Sequence, residues 1–557
     1  MGYTHIRPEQ YLRDYPELER IVGGARSWLE QLQRCRIVGT EDATEPMPLV
    51  ATDDGRVYLH RYRQAERQLR QQVVTRCRMR QDFPDLDQKE LKAVVSAGLD
   101  SQDSPPDAHG ALGIWLALTR GFSVITGGPG TGKTTLVSRL LRILRRAAPE
   151  TLDRTVVAAP TGKAAMRLRE SLHSLNAAED APGSLPTVEP VTLHRLLGAN
   201  RRGEFRHGPG HPLRARCVIV DEASMIDLML LNHLLLSVRP DCHVLLVGDA
   251  HQLAAVEAGA VFPELTRFCG ADFLDAQTAA DFHQGTGLEP PEDCASREEP
   301  VAAVRLRRVY RFSGSGGIQR LSEAILRGDA AAGWHLLRNT SEERELAYAP
   351  LSAGADLQGP LRDVARKEFS PLPRLDDPQE MLHTLGRFRI LTALRRGRTG
   401  AEWVNLLIES LLRTQNPRLI NGPWFHGRAV MVTRNDYQLG LSNGDVGVTA
   451  ADARGQLRVF FPAAERDQAP RAIAPVRLPP HVPAYALTVH KSQGSEFERV
   501  LLLLPGRGNP LLSRELLYTG VTRAKRRVEI WTEREVWEEA VNREEGAGRS
   551  AVFFRKN

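Results

Sequence analysis

The sequence predicts an α/β protein made of two successive parallel-sheet domains. A small β-barrel-like insertion is expected in the second, and a mostly helical N-terminal unit in front. Three observations predict this. From residue 108 onward, short apolar strands alternate with helical stretches, the pattern of a parallel sheet covered on both faces. The alternation restarts after an acidic break at 270–300. Between about 425 and 480 the text turns into closely spaced short strands around Asn443-Gly444, a strong hairpin signal.

Taken in order, residues 1–105 are arginine-rich, contain amphipathic stretches such as Tyr58–Met79, and show no catalytic pattern. Ser101–Asp107 reads as a linker by its turn chemistry. The first α/β domain is expected over 106–300, with strands at Ser123–Thr126, Thr155–Ala159, Cys217–Val220 and Val244–Val247. Residues 270–300 are poor in large apolar side chains and contain Pro290-Pro291, so an inserted loop or a small excursion from the sheet is expected there. The second α/β domain, 301–557, resumes at Phe388–Leu394 and ends with Ala486–Trp531.

Composition bounds the function. The 557 residues suit three or four domains, and 42% hydrophobic with 25% charged residues excludes a largely disordered chain. A net charge of +6 hints at an anionic partner. No apolar run approaches the roughly 20 residues needed to span a bilayer, so no membrane association is expected. Met1–Ile6 lacks the basic-then-apolar order of a signal peptide. Six scattered cysteines without a Cys-x-x-Cys pair point to a reduced cytoplasm and no structural zinc. Only 8 of the 74 basic residues are lysine, and four of those eight lie in the motifs below. The remaining lysines are expected where a compact ammonium cannot be replaced by a planar guanidinium.

Gly127-Gly128-Pro129-Gly130-Thr131-Gly132-Lys133-Thr134 fits the phosphate-binding loop pattern, between an apolar strand and a helix. Its glycines let backbone N–H groups close around phosphates, and the helix adds its positive end. Lys133 is expected on the β- and γ-phosphates of ATP, with the Thr134 hydroxyl on Mg²⁺. The strand Cys217–Val220 ends in Asp221-Glu222. Asp221 can hold the Mg²⁺ shell and Glu222 can orient or deprotonate the attacking water, although two acids after a strand also suit a helix cap. A third strand ends in Gly248-Asp249, and Gln252 just beyond can sense a γ-phosphate. Arg311 (in Tyr310-Arg311-Phe312) and Arg523 (in Val521–Lys525) are placed to neutralise the transferring phosphoryl group when a second domain closes.

These motifs form an ordered set. It also holds Ala159-Pro160-Thr161-Gly162-Lys163-Ala164-Ala165, Thr192-Leu193-His194, Thr488–Phe497 and Thr519–Lys525. The set resembles superfamily-one DNA helicases and, more narrowly, the RecD family of exodeoxyribonuclease V alpha subunits. Glu402–Asn405 and Trp424–Gly447 match that family's text as well. The resemblance is close over roughly 108–535. It implies two RecA-like motor domains with ATP between them, an SH3-like insertion, and 5′-to-3′ movement along single-stranded DNA. It further implies that Thr161, Lys163, Thr192, His194, His490 and Ser492 line the DNA path, where hydroxyls, an ammonium and imidazoles can track phosphates without reading bases. The implied partners are DNA and the beta (RecB) and gamma (RecC) subunits, with cleavage supplied by another chain.

Two features depart from the pattern or extend it. Family members usually place an adenine-contacting glutamine upstream of the phosphate loop, where this chain has His109-Gly110-Ala111. Near 200–212, the stretch Arg201–Gly208 is expected to form a wedge hairpin with its tip at Gly203. Residues 1–105 are expected to dock a partner subunit, so that their removal spares ATPase activity and blocks assembly; a brace for the first motor is the alternative. Rival readings are a free-standing helicase of the same superfamily, a scaffold whose ATP site gates partner contacts, and a metabolic phosphoryl transferase.

Overall fold

The computed structural model describes residues 4–14, 16–35, 37–40, 47–79, 107–177, 188–200, 202–254, 259–310, 316–339, 344–351, 356–415, 420–436, 438–463 and 468–544. Strands Phe122–Gly127 and Cys217–Val220 are buried along their whole length, because helices cover both faces of their sheet. That sheet has six parallel strands in the spatial order Ala303–Leu306, Phe122–Gly127, His243–Gly248, Cys217–Val220, Thr155–Ala159, Val191–Thr192. The helix Ala108–Thr119 starts where Asp107 Oδ1 accepts the Gly110 N–H at 2.9 Å. It can approach the sheet closely because Gly113 leaves room for Ile125 and Val304.

The boundary expected at 301 moves. Ala303–Leu306 pairs in register with Val124–Gly127, so the first sheet is completed by residues assigned from sequence to the second domain. The expected loop at 270–300 holds a helix, Ala276–Thr286, and a parallel pair of two-residue strands, Phe273–Leu274 and Ala295–Ser296. Asp275 caps that helix through the Thr278 N–H at 2.8 Å, and Phe282 packs edge-on against Trp115 at 6.5 Å.

The N-terminal unit is helical with a small four-stranded sheet of His5–Ile6, Val57–Leu59, Leu49–Ala51 and Val38–Thr40. The linker expected at Ser101–Asp107 lies, apart from Asp107, outside the described residues. The helix His60–Arg78 joins the core of the first motor through Ala65, Leu69, Val73 and Cys77. Buried Arg76 donates to the carbonyls of Val238, Arg239 and Cys242 at 3.2, 3.1 and 3.2 Å.

The second sheet is again parallel, in the order Leu346–Pro350, Ala524–Thr532, Phe497–Leu503, Phe388–Thr392, Ala486–Thr488. The insertion is an open antiparallel sheet of five strands, Arg471–Ile473, Leu457–Phe461, Val446–Ala451, Ala429–Val432 and His481–Pro483. Its edge strands do not pair with each other, so no closed barrel forms among the described residues, and it spans 429–483.

Arg201, in the segment expected as a wedge hairpin, lies outside the described residues. Around it, the Asn200 N–H donates to the Glu204 carbonyl at 2.9 Å and the Arg206 N–H to the Gly198 carbonyl at 3.3 Å, across a turn with Gly203 at φ +80°. Phe205 stacks on His233 at 4.5 Å and holds the segment against the body of the domain. No helix among the described residues is long and apolar enough to cross a membrane.

Candidate nucleotide and DNA site

The phosphate-binding loop follows strand Phe122–Gly127 and leads into helix Lys133–Ala147. Gly132 adopts φ +82°, a conformation that β-carbons disfavour, and it starts the helix without a side chain in the way. A Cβ on Gly128 would lie 2.9 Å from the Tyr518 hydroxyl, which comes from the second motor. Gly128 thus allows the second motor to pack closely against this loop.

A cavity of about 470 Å³ opens over this loop. Pro129, Gly130, Thr131, Gly132, Lys133, Thr134, Asp221, Glu222, Gln252 and Arg523, all singled out in the sequence, line this one cavity. Gly127 and Gly128 contribute carbonyls that accept from Lys133 Nζ at 2.6 and 2.9 Å. Glu222 is the only non-glycine among the described residues with positive φ, +54°. Such a backbone costs on the order of 1 kcal/mol or more and is typical of sites where a side chain must be aimed. Arg523 is buried and donates to the carbonyls of Thr519 and Ser495 at 3.1 and 3.2 Å. Arg311 lies outside the described residues.

Burial and the neighbouring Glu222 push the Asp221 carboxyl up to about 6, while Lys133 opposes the shift. A raised acid pKa means that ionisation works against the ligand-free fold. The contribution is complete below about pH 4 and is lost as pH rises through about 6. Asp221→Asn is therefore expected to stabilise the ligand-free protein at pH 8 by roughly 1–3 kcal/mol and by almost nothing near pH 4. Denaturant unfolding at the two pH values measures this. A variant no more stable than the parent at pH 8 would contradict the buried-charge argument.

The two motors meet on the loop after His243–Gly248. Buried Asp249 accepts from Gln252 Nε2 and the Tyr518 hydroxyl, both at 3.1 Å. Gln493 Nε2 donates to the Leu253 carbonyl at 2.6 Å, and the Leu253 N–H donates to Thr519 Oγ1 at 2.8 Å. Leu253 itself is packed in the core of the second motor. Gln252 is thus tied to the segment that carries Arg523. Asp249 and Tyr518 were given no role by the sequence motifs, nor were Arg167, Ser171 and Glu496, which also line the cavity.

The residues expected on the DNA path divide. Thr161 and Thr192 cap the helices Gly162–Ala177 and Leu193–Leu196, each accepting a backbone N–H at 3.2 Å. Ser492 is fully buried and its hydroxyl donates to the Val489 carbonyl at 2.7 Å, so it supports its turn rather than facing a cleft. Lys163 lies between the motors, with Gly444 of the insertion beside it, and burial and nearby Arg167 and Arg389 push it down to about 7. A Cβ on Gly494 would touch Ala164 at 3.9 Å, so Thr161–Lys163 and His490–Gly494 face one another across the domain junction. His490 is half-buried, whereas His194 is exposed and stands apart beside Phe205 at 5.9 Å.

Two family models match, an AAA domain over 112–258 and a UvrD-like helicase C-terminal domain over 483–530. The RecBCD enzyme subunit RecD of Mycobacterium tuberculosis (strain ATCC 25618 / H37Rv) is 36% identical over 497 residues, covering 87% of this chain and 78% of that protein. This chain belongs to the RecD family. The Haemophilus influenzae RecD subunit is 34% identical, with 79% of this chain and 71% of that protein covered. The ATP-dependent RecD2 DNA helicase of Deinococcus radiodurans is 29% identical over 91% of this chain and 59% of its own length. Among solved structures, a Bacteroides Pif1 helicase with ADP-AlF3 and single-stranded DNA matches 73% of this RecD chain at 17% identity and a TM-score of 0.38.

Proposed function

We propose that this RecD-family chain is the ATP-driven DNA helicase subunit of a RecBCD-type helicase–nuclease, working in the cytoplasm. It would move 5′ to 3′ along one strand of a broken duplex, with RecB and RecC subunits as partners. One observation carries this reading. The nucleotide cavity is built from both motors, with Lys133, Asp221, Glu222 and Gln252 on one side and Arg523 on the other.

The cavity's chemistry supports ATP with Mg²⁺. Two adjacent carboxylates, Asp221 and Glu222, face one ammonium, and burial raises Asp221 in the absence of further positive charge. The Thr134 hydroxyl and Asp221 carboxylate are the hard oxygen donors a divalent cation takes. The cation would neutralise the phosphates. Lys133 would exchange its two backbone carbonyls for phosphate oxygens, and Glu222 would take the proton of the attacking water. Gln252, tied through Asp249 to Tyr518 and through Leu253 to Thr519, would pass loss of the terminal phosphate to the second motor.

Single-stranded DNA is therefore expected to raise ATPase turnover strongly, because DNA across the junction favours the closed arrangement. Arg523→Ala is expected to lower turnover more than nucleotide affinity. Steady-state ATPase assays with and without an oligonucleotide check both. A rate indifferent to DNA would point to the phosphoryl-transferase reading instead.

A further inference from the structure

Among the described residues, three cationic side chains line the nucleotide cavity: Lys133, Arg523 and Arg167. The first two already have protein acceptors, the loop carbonyls for Lys133 and the Thr519 and Ser495 carbonyls for Arg523. Arg167 makes no hydrogen bond or ion pair with any of the described residues. It projects from helix Gly162–Ala177 one turn beyond Lys163 and one turn before Ser171, and Ser171 lines the same cavity. One stripe of this helix thus reaches from the DNA-side motif to the nucleotide.

The surroundings of Arg167 are charged. Burial lowers its pKa, and the charges that act on it most are Glu496, Arg523 and Glu222. Glu496 is paired with Lys525 at 3.5 Å. A partly desolvated guanidinium without an acceptor is unfavourable until an anion arrives. The planar fork of arginine also suits phosphate oxygens better than a point charge does.

We propose that Arg167 is a catalytic residue that contacts the terminal phosphate of the bound nucleotide. The proposal rests on the reading of this cavity as the ATP site. In hydrolysis the water oxygen bonds to the γ-phosphorus as the bond from that phosphorus to the bridging oxygen breaks. The water's proton passes to Glu222, ADP keeps the bridging oxygen's electron pair, and inorganic phosphate leaves. Charge builds on the γ-phosphoryl oxygens during transfer, and Arg167 would meet it from within the first motor. Arg167 stands on the same motor as Lys133, Asp221 and Glu222, whereas Arg523 comes from the other.

The test compares the full-length chain with Arg167→Gln and Arg167→Lys, after thermal melting has shown that all three fold. Three quantities are measured: steady-state kcat and KM with single-stranded DNA, affinity for ADP, and affinity for ADP with aluminium fluoride, which mimics the transferring phosphoryl group. Arg167→Gln is expected to lose about 10²-fold in kcat and a comparable factor in aluminium-fluoride affinity, with ADP binding held within about threefold. Arg167→Lys should recover part of both losses. Unchanged kcat, or equal loss of ADP and ADP–aluminium fluoride binding, would overturn the role. A parent protein that does not bind ADP would overturn the nucleotide reading, and the Arg167 role with it.

Discussion

Replacing Lys133 by glutamine is expected to lower ATP turnover by about 10²–10³-fold, or about 3–4 kcal/mol of transition-state stabilisation, with the fold intact. In the ligand-free protein the ammonium is held by the Gly127 and Gly128 carbonyls at 2.6 and 2.9 Å, so it already sits at the phosphate cradle. A glutamine amide can satisfy those carbonyls but cannot supply a full positive charge to the transferring phosphoryl group. Turnover falls while the melting temperature stays near that of the parent. Steady-state ATPase assays beside a thermal melt check both halves, and parent-level turnover in a folded variant would refute the site.

Removing residues 1–105 is expected to unfold the first motor, which reverses the expectation from sequence that ATPase would survive. The helix His60–Arg78 is the reason. Leu69 and Val73 are fully buried within the motor core, and their burial alone is worth about 3–6 kcal/mol. That is comparable with the net stability of about 5–15 kcal/mol typical of a domain. Arg76 adds charged hydrogen bonds to the turn Val238–Cys242, so Arg76→Ala alone should cost roughly 3 kcal/mol. Cutting before His60 removes the small sheet and spares the helix. A chain lacking residues 1–59 should keep DNA-stimulated ATPase and lose partner-subunit capture in a pull-down. Stable folding of the 1–105 truncation would contradict the bracing role of the helix. Normal assembly of the 1–59 truncation would contradict docking by the sheet and short helices.

The parts legible in the sequence are those with a strong local signal. A short, partly β-branched apolar run such as Cys217–Val220, ending in polar residues, reads as a strand buried on both faces, and it is one. The phosphate-loop residues, Asp221, Glu222 and Gln252 meet in one cavity because each follows a strand at the same edge of the first sheet, and Arg523 reaches that cavity from the second motor. Partnerships between distant segments were harder to read. Nothing local tells that Ala303–Leu306 pairs beside Phe122–Gly127, and so the domain boundary fell too early. The helix Ala276–Thr286 has few large apolar residues, and its place is set by an Asp275 cap and by Phe282 against Trp115. Ser492 reads as a phosphate contact by residue type, yet a hydrogen bond to its own turn turns it inward. Arg167 is one of 66 arginines, and only its position on the cavity wall distinguishes it.

The central claim is that nucleotide turnover between the two motors drives movement along DNA with a fixed polarity. Displacement of streptavidin from single-stranded oligonucleotides biotinylated at one end tests it most directly. With ATP, the full-length chain should displace streptavidin from the 3′ end and leave the 5′ end occupied, and Lys133→Gln should do neither. ATP hydrolysis with no displacement from either end, or displacement from the 5′ end alone, would contradict the account.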